Sequence, residues 1–380
     1  MDIELFKGSN AGRVIKTDRG YWAFVPNPLP PELIWDPALS SILSQASHSL
    51  GTLVGLGETL PNPHLFIYPF IRREAVLSSR IEGTLSSLSD LFLFEAMQIE
   101  KQRDVREVQN YVNALENGIK RLKEKPLDLE LIHELHGILM KDVRGGSAKP
   151  GEFRNEQNWI GPPGCEITDA TYVPPPVNEM TEALSQFGQF LQTDGPIPLL
   201  VRVGLIHYQF EAIHPFLDGN GRICRLSIIL YLHQQDLLPK PLLYPSAFFE
   251  RYRRQYYDHL LKVSQQGAWR PWIEFFLQGV ISQSQDAIQR SRRLVNLQQN
   301  YHKEILAKRL SPTAGQVLDL IFMRPVININ SAVKALRLTF PAVSKAMKQL
   351  ESIGILKEIT SGKRNKVYVA QEILKILEKE

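Results

Sequence analysis

Apolar positions recur at steps of three and four along most of this chain, which marks it as largely helical. The spacing predicts a helix from Asp36 to Leu50 and helical sequence from Pro69 to Glu100, broken once at Glu82-Gly83. Glycine suits the end of a helix there. Further helices are expected over Val105–Lys123 and Leu129–Lys141, separated by Pro126, and helical spacing returns from Glu179 almost to Leu310. Two stretches break the pattern. Residues 1–60 are rich in Pro and Gly, with Pro26, Pro28, Pro30 and Pro31 close together, and read as an extended arm before a short helix. Residues 144–178 are dense in Gly and Pro, with β-prone pieces around Trp159–Ile160 and Thr171–Val173, and read as a loop carrying a small hairpin.

After Ser311 the pattern changes. Helices fit Thr313–Phe322, Ser331–Leu338 and Pro341–Ser352, the last with Thr339 as N-cap and Gly354 as terminator. Ile355–Ile359 and Lys366–Val369 can then pair across Ser361-Gly362-Lys363. Three helices and a two-stranded wing describe a winged helix-turn-helix. In its third helix Val343, Ala346 and Leu350 form an inward stripe. Ser344, Lys345 and Lys348 face outward, while Lys363, Arg364 and Lys366 load the wing. The expected organisation is therefore a region 1–105 of arm and helices, a core over 106–285, a linker helix over 286–310 and the winged helix over 311–380.

Composition narrows the class. A chain of 380 residues is too long for one ordinary domain, and 43% apolar with 22% charged residues supports packed cores. No run approaches 18 consecutive apolar residues, so no membrane span is expected. The start MDIELFKGSN lacks a basic leader and an apolar stretch, and Cys165 and Cys224 cannot build a disulfide framework, so a cytoplasmic protein is expected. Net charge is +4, yet Ser311 to Glu380 holds eleven Lys/Arg and six Asp/Glu, a surplus of +5 that leaves −1 for the rest. An anionic partner such as DNA and a merely solubilising surface both fit that surplus.

Common nucleotide and metal motifs are missing. No GxxxxGK[ST] occurs, Gly219-x-Gly221 lacks a third glycine and a preceding strand, and His133-Glu134-Leu135-His136 is one residue short of a zinc-protease motif. The informative stretch is HYQFEAIHPFLDGNGRICR, His207 to Arg225. A helix ends near Ile213, Pro215 interrupts, and Asp218-Gly219-Asn220-Gly221 turns into a new helix over Arg222–His233. Glycines let the backbone approach a ligand, and free N–H groups at a helix start attract anions. Arg222 and Arg225 lie on that first turn, where positive charge opposes the helix dipole and phosphate ligation explains it better. Asp218 is placed to hold Mg²⁺ against phosphate oxygens, and His214 to accept a proton from an attacking hydroxyl. Taken together, these residues specify phosphoryl or nucleotidyl transfer.

HPFLDGNGRICR resembles the HPFx(D/E)GNGRxxR signature of the Fic (Fido-domain) family of protein adenylyltransferases at every fixed position. The resemblance runs from about Phe70 to Leu277. It implies a mostly α protein: a Fic helical core with a small β-hairpin flap, plus the C-terminal winged helix-turn-helix. It also implies ATP as substrate, Mg²⁺ as cofactor, and a protein hydroxyl of Ser, Thr or Tyr, the protein's own included, as AMP acceptor. His214 is then the general base and Asp218 the metal ligand. Gly219, Asn220 and Gly221 cradle the α- and β-phosphates with Arg222, and Arg225 holds the γ-phosphate. Related Doc-type kinases carry lysine in place of the second glycine, which is Gly221 here.

The same resemblance makes residues 144–178 a flap that pairs with a target segment. Ile160, Gly161 and Tyr172 are its expected contacts, whereas Arg154 and Trp159 read as anchors. Tyr256 and Tyr257 match a tyrosine pair near adenosine, with core packing as the equal alternative. Cys224 and His207 are assigned no role. Ser78-Ser79-Arg80-Ile81-Glu82-Gly83 resembles the family's (S/T)xxxE(G/N) inhibitory motif, carried by Ser78, Glu82 and Gly83, in which Glu82 competes with the γ-phosphate for Arg225. A homodimer is implied as well. Two other functions stay open: removal of AMP by water that Glu82 positions, and a DNA-binding regulator whose core senses nucleotide without transferring it.

Overall fold

The computed structural model describes residues 1–60, 62–97, 103–143, 149–360 and 365–378. They fall into two compact units. The first comprises Met1–Gly51, Asn110–Pro239 and Pro245–Gln283, and the second Thr52–Gln109, Lys240–Tyr244 and Ser284–Glu380. Among the described residues no helix is long and apolar enough to cross a membrane.

The first unit opens with an antiparallel pair, β1 (Gly12–Lys16) and β2 (Trp22–Pro26), in register Val14↔Phe24. This corrects the expected extended arm: the prolines cluster from the last residue of β2 onward, and Gly20 at φ 87 supplies the turn. The first helix also outruns Asp36–Leu50, as α1 covers Pro37–Thr59. Gly51, Gly55 and Gly57 shorten the predicted helix, but local glycine cost yields to packing. Next come α2 (His64–Ile81), α3 (Leu88–Met97), α4 (Arg103–Arg121) and α5 (Leu129–Leu139). The remaining helices are α6 (Val177–Gln192), α7 (Leu199–Ile213), α8 (Asn220–Gln234), α9 (Ser246–Arg251), α10 (Arg253–Gln266) and the continuous α11 (Trp269–Ala307).

At the centre of the first unit lie α7 and α8, buried nearly all round, their polar residues such as Arg202, His207, Arg222 and Arg225 included. Gly204 lets α11 close on α7: a Cβ there would lie 2.9 Å from Ile273, and the Trp272 indole N–H reaches the Gly204 carbonyl at 2.9 Å. The predicted hairpin in the Gly/Pro-rich segment is a single antiparallel bridge, Ile160↔Tyr172. Residues 144–148 lie outside the described set.

In the second unit the tail forms α12 (Pro312–Met323), β3 (Val326–Asn328), α13 (Ile329–Leu336), α14 (Phe340–Ser352), β4 (Lys357–Glu358), β5 (Val367–Val369) and α15 (Gln371–Glu378). The strands form one antiparallel sheet in the order β3-β5-β4. Neither β3 nor α15 was expected, and α13 starts two residues before Ser331 because Asn328 caps it in a reciprocal box with Ser331. Strand β3 is only three residues long, too short to show alternation. The expected wing turn, with Lys363 and Arg364, lies outside the described residues. Helix α2 packs on α12 and α15. Arg72 binds Glu95 at 2.9 Å, the Asn328 amide donates to the Ala96 carbonyl, and Ser89 donates through N–H and hydroxyl to Glu378 at 3.0 and 2.6 Å.

Trp272 is fully buried and hydrogen-bonded. Trp272→Ala is expected to cost roughly 3–5 kcal/mol, read as a lower urea midpoint for the first unit's helical signal.

Candidate active site

The loop from His214 to Gly219 joins the two most buried helices of the first unit, so its backbone groups must find partners inside the protein. His214 closes α7 in the left-handed region (φ 51, ψ 59), its N–H bonded to Phe210 O at 3.0 Å. At the other end Gly219 (φ 80) precedes α8. A Cβ on Gly219 would meet Met140 Sδ at 2.7 Å and His136 Nε2 at 3.2 Å, so only glycine fits both the angle and the space. Helix α8 begins at Asn220, two residues before the expected Arg222. The Asn220 side chain folds back on Phe216, accepting from its N–H at 2.9 Å and donating to its carbonyl at 2.8 Å. That side chain holds the loop, and the Asn220 backbone is what the residue offers at the helix start.

Four residues from elsewhere grip the same loop. Arg154, 1% exposed, donates to the carbonyls of His214 (3.0 Å), Glu156 (3.1 Å) and Pro175, and its own N–H reaches Pro215 O at 2.9 Å. Burial pushes its pKa down to about 10, still charged at neutral pH. Asn158 donates to Phe216 O at 2.8 Å. Phe153 packs on Phe216, with ring centroids 5.0 Å apart. His136 stacks flat on Phe216, centroids 3.6 Å apart. Its Nδ1 accepts from Gly151 N–H at 3.0 Å, so Nε2 carries the proton and donates to Asp218 O at 2.9 Å. The incomplete zinc motif is thus a loop clamp, a role that spacing alone could not reveal.

What the loop presents is an imidazole beside a helix start. His214 Nδ1 lies 3.3 Å from the Glu211 carbonyl and 3.9 Å from its carboxylate, which puts the proton on Nδ1 and leaves Nε2 as the basic nitrogen. The first N–H groups of a helix lack intrahelical acceptors, and no side chain caps α8. Arg222 and Arg225 on its first turns are 4% and 0% exposed. Asp218 is more than half exposed; one oxygen accepts from Gly219 N–H at 2.6 Å and lies 3.5 Å from Arg222. A solvent-facing carboxylate beside an anion-binding helix start fits one ligand of a Mg²⁺ that takes its other oxygens from phosphate and water.

The flap residues separate. Ile160 is exposed, with main-chain bonds to Thr171 and Tyr172 at 2.8 to 3.0 Å. Gly161 backs onto Cys165 and Ala170, leaving no room for a Cβ. The Tyr172 ring is buried against Phe6 and Phe24 with its hydroxyl on Ala212 O at 2.7 Å. It joins the flap to the N-terminal pair, which Phe24 N–H also ties to Val173 O at 2.9 Å. Trp159 donates to Cys165 O. Tyr256 is fully buried, hydrogen-bonded to His207 Nε2 at 2.7 Å and stacked on Phe249, whereas Tyr257 is exposed. His207, Glu211 and Cys224 bring three ligand atoms within 4.8 Å of one another, but both His207 nitrogens are committed, one to Tyr256 and the other to Cys224 Sγ at 3.2 Å. Ser78 is buried in α2, Glu82 is its exposed C-cap residue, and Gly83 follows at φ 92.

The geometry defines a mostly helical protein with an uncapped helix start beside a partly exposed imidazole. Residues 126–232 match the Fic/DOC family model and residues 41–120 the Fic/DOC family N-terminal model. Over those residues the chain is similar to the Fic/DOC family. Protein adenylyltransferase Fic of Drosophila grimshawi and of Drosophila virilis are each 29% identical over 167 residues, 43% of this chain. The match spans only 30% of the length of either relative. Among solved structures, a Fic family protein from Desulfovibrio desulfuricans G20 aligns with TM-score 0.58 at 18% identity, over 90% of this chain and 98% of that one. Fic-1 from C. elegans aligns at 0.52 with 20% identity, over 68% and 75%. These likenesses establish a Fic fold.

Burial lowers the pKa of His136 to about 4 and of His207 to about 3. Unfolded, both titrate near 6.5, so at acid pH the unfolded chain binds more protons. The stability each contributes is present above about pH 6.5 and is lost as pH falls toward about 4 for His136 and about 3 for His207. The urea midpoint is expected to drop over that window. His136→Gln, which cannot titrate, should flatten the fall while lowering the midpoint at about pH 7.5.

Proposed function

We propose that this protein is an adenylyltransferase that moves AMP from ATP to a hydroxyl side chain of a protein. The carrying observation is the placement of His214, its Nε2 basic by virtue of the Nδ1 bond to Glu211, beside the uncapped start of α8. In this reading the target hydroxyl attacks the α-phosphorus and gives its proton to Nε2. The bond from the α-phosphorus to the bridging oxygen breaks, and pyrophosphate leaves. The N–H groups of Asn220, Gly221 and Arg222 receive the α- and β-phosphates, as helix starts do. The Arg222 guanidinium assists there and Arg225 takes the γ-phosphate. Their burial keeps these charges strong, since low local dielectric raises their hold on an anion. Mg²⁺ at Asp218 would neutralise phosphate charge. Gly161 offers flap main chain to the target segment and Ile160 its exposed side chain, the Ile160 N–H and carbonyl being bonded to Tyr172 and Thr171. Tyr257 is the one of the tyrosine pair with an accessible ring for adenosine.

Glu82 supplies the regulation in this proposal. A carboxylate at a helix C-terminus opposes the dipole, so its position is not explained by the stability of α2. Competing with the γ-phosphate for Arg225 would explain it. The anchoring of α2 to α12 and α15 and the Arg72–Glu95 pair keep that helix from melting, which a competitive carboxylate requires.

The test uses ATP labelled at the α-phosphate. Glu82→Gly is expected to raise protein labelling at least about tenfold, because a charge-assisted contact to arginine is worth roughly 1.5–3 kcal/mol. Adding His214→Ala should lower it again by about 10²–10⁴-fold. Transfer of γ-label instead would make the protein a kinase. Failure of both labels, with AMP released from a modified protein, would make it an AMP-removing enzyme.

A further inference from the structure

The tail carries a surface that AMP transfer does not use. Helices α13 and α14 are joined by residues 337–339, with Arg337 in the left-handed region (φ 55) making the corner. Two helices across a three-residue turn form a helix-turn-helix, whose second helix is the one that enters a groove. Val343, Ala346, Met347 and Leu350 are all fully buried and seat α14 on its neighbours. The opposite face is open. Phe340, Pro341, Ser344, Lys345, Lys348 and Ser352 line a groove along the helix, and Phe340 at its start is 51% exposed. Thirteen residues give this face a length of about 20 Å, and a helix of that girth fits the major groove of B-DNA, about 12 Å wide.

Charge selects the occupant. Among the described residues the acids of the tail lie on other elements, except Glu351 in the last turn of α14, which accepts from the Glu358 N–H at 3.3 Å. Glu358 pairs with Lys366 at 2.7 Å and Glu372 with Lys375 at 2.6 Å, Asp319 on α12 accepts from Gln298 and His302, and Glu378 on α15 accepts from Ser89. Of the tail's exposed cations among the described residues, Lys357 lies on β4 and Lys375 pairs with Glu372, while the four cations Lys334, Arg337, Lys345 and Lys348 belong to α13, its corner or α14. Among the described residues none of the four is in an ion pair. A protein partner for an exposed Phe340 would not call for four unneutralised cations around it, whereas a duplex supplies phosphates for the cations and thymine methyl groups for Phe340 and Pro341.

We infer that the face formed by α13 and α14 is a duplex-DNA interface, with α14 in the major groove and Lys345 and Lys348 on the flanking phosphates. The side chains at the groove floor, Ser344 chief among them, are short. Binding therefore rests mainly on phosphate contacts and falls with salt. This inference does not depend on the proposed enzyme activity.

The test uses the full chain and a fluorescein-labelled mixed-sequence duplex of about 25 base pairs, followed by anisotropy from about 50 to 300 mM KCl. Wild type is expected to bind with a salt slope of several units. Lys345→Glu/Lys348→Glu should weaken binding about tenfold or more at about 100 mM KCl and lower the slope by about two, near 0.9 per lost phosphate contact. Arg293→Glu/Lys303→Glu makes the same charge change at exposed positions of α11 and should leave the affinity within about twofold. All four positions are exposed, so an unchanged thermal midpoint is expected for both variants. No binding at low salt, or equal losses in the two double variants, would overturn the inference. So would self-association that depends on Phe340 in place of DNA binding, which would assign the face to a second copy of the chain.

Discussion

A reversal of chain between two buried helices, with His214 and Gly219 both at positive φ, is the constraint around which the first unit is built. A left-handed residue other than glycine costs roughly 1 kcal/mol, and a turn deep in a protein must also satisfy each N–H and carbonyl it brings along. Arg154, Asn158, His136 and Asn220 meet that demand with side chains bonded to the loop's backbone. They fix an imidazole and a helix start in one place. Neutral His136 is suited to this work because it accepts from Gly151 and donates to Asp218 at once, and protonation would end the first bond.

Similar bracing appears around the flap. Tyr172 is committed to packing and to the Ala212 carbonyl, and Phe24 ties β2 to Val173, so the N-terminal pair of strands supports the segment that carries Ile160 and Gly161. A single bridge would not hold an exposed loop, since isolated strand pairs are marginal in water. Behind the loop, His207, Cys224 and Tyr256 form a closed network in which burial keeps the histidine neutral and raises the thiol. Their contribution is to the packing of α7 on α8 and α10.

In the second unit the region around the (S/T)xxxE(G/N) motif and the C-terminal helices share one body, although 289 positions of sequence separate Ser89 from Glu378. No local pattern announces such a contact. The apolar spacing of α2 shows that it buries a face, and its thirteen buried residues agree, but only the fold shows that α12 and α15 are what it packs against.

The amino-acid order by itself determined the helical class, most helix positions and the HPFLDGNGRICR loop, because helix periodicity is local and the motif sits within twelve consecutive residues. The inward stripe of α14 was legible for the same reason. Pairing and burial were decided by tertiary structure. The β1–β2 pair was hidden by neighbouring prolines, β3 was too short to alternate, and α15 has its apolar face defined only by what it covers. Of the tyrosine pair, adjacency in sequence could not say which ring was core; packing against Phe249 and His207 buried Tyr256 and left Tyr257 in solvent. The loop clamps lie further still from local pattern. His136 reaches Asp218 across 82 positions and Arg154 reaches His214 across 60, and a periodicity of three or four residues carries no information about partners so distant in the chain.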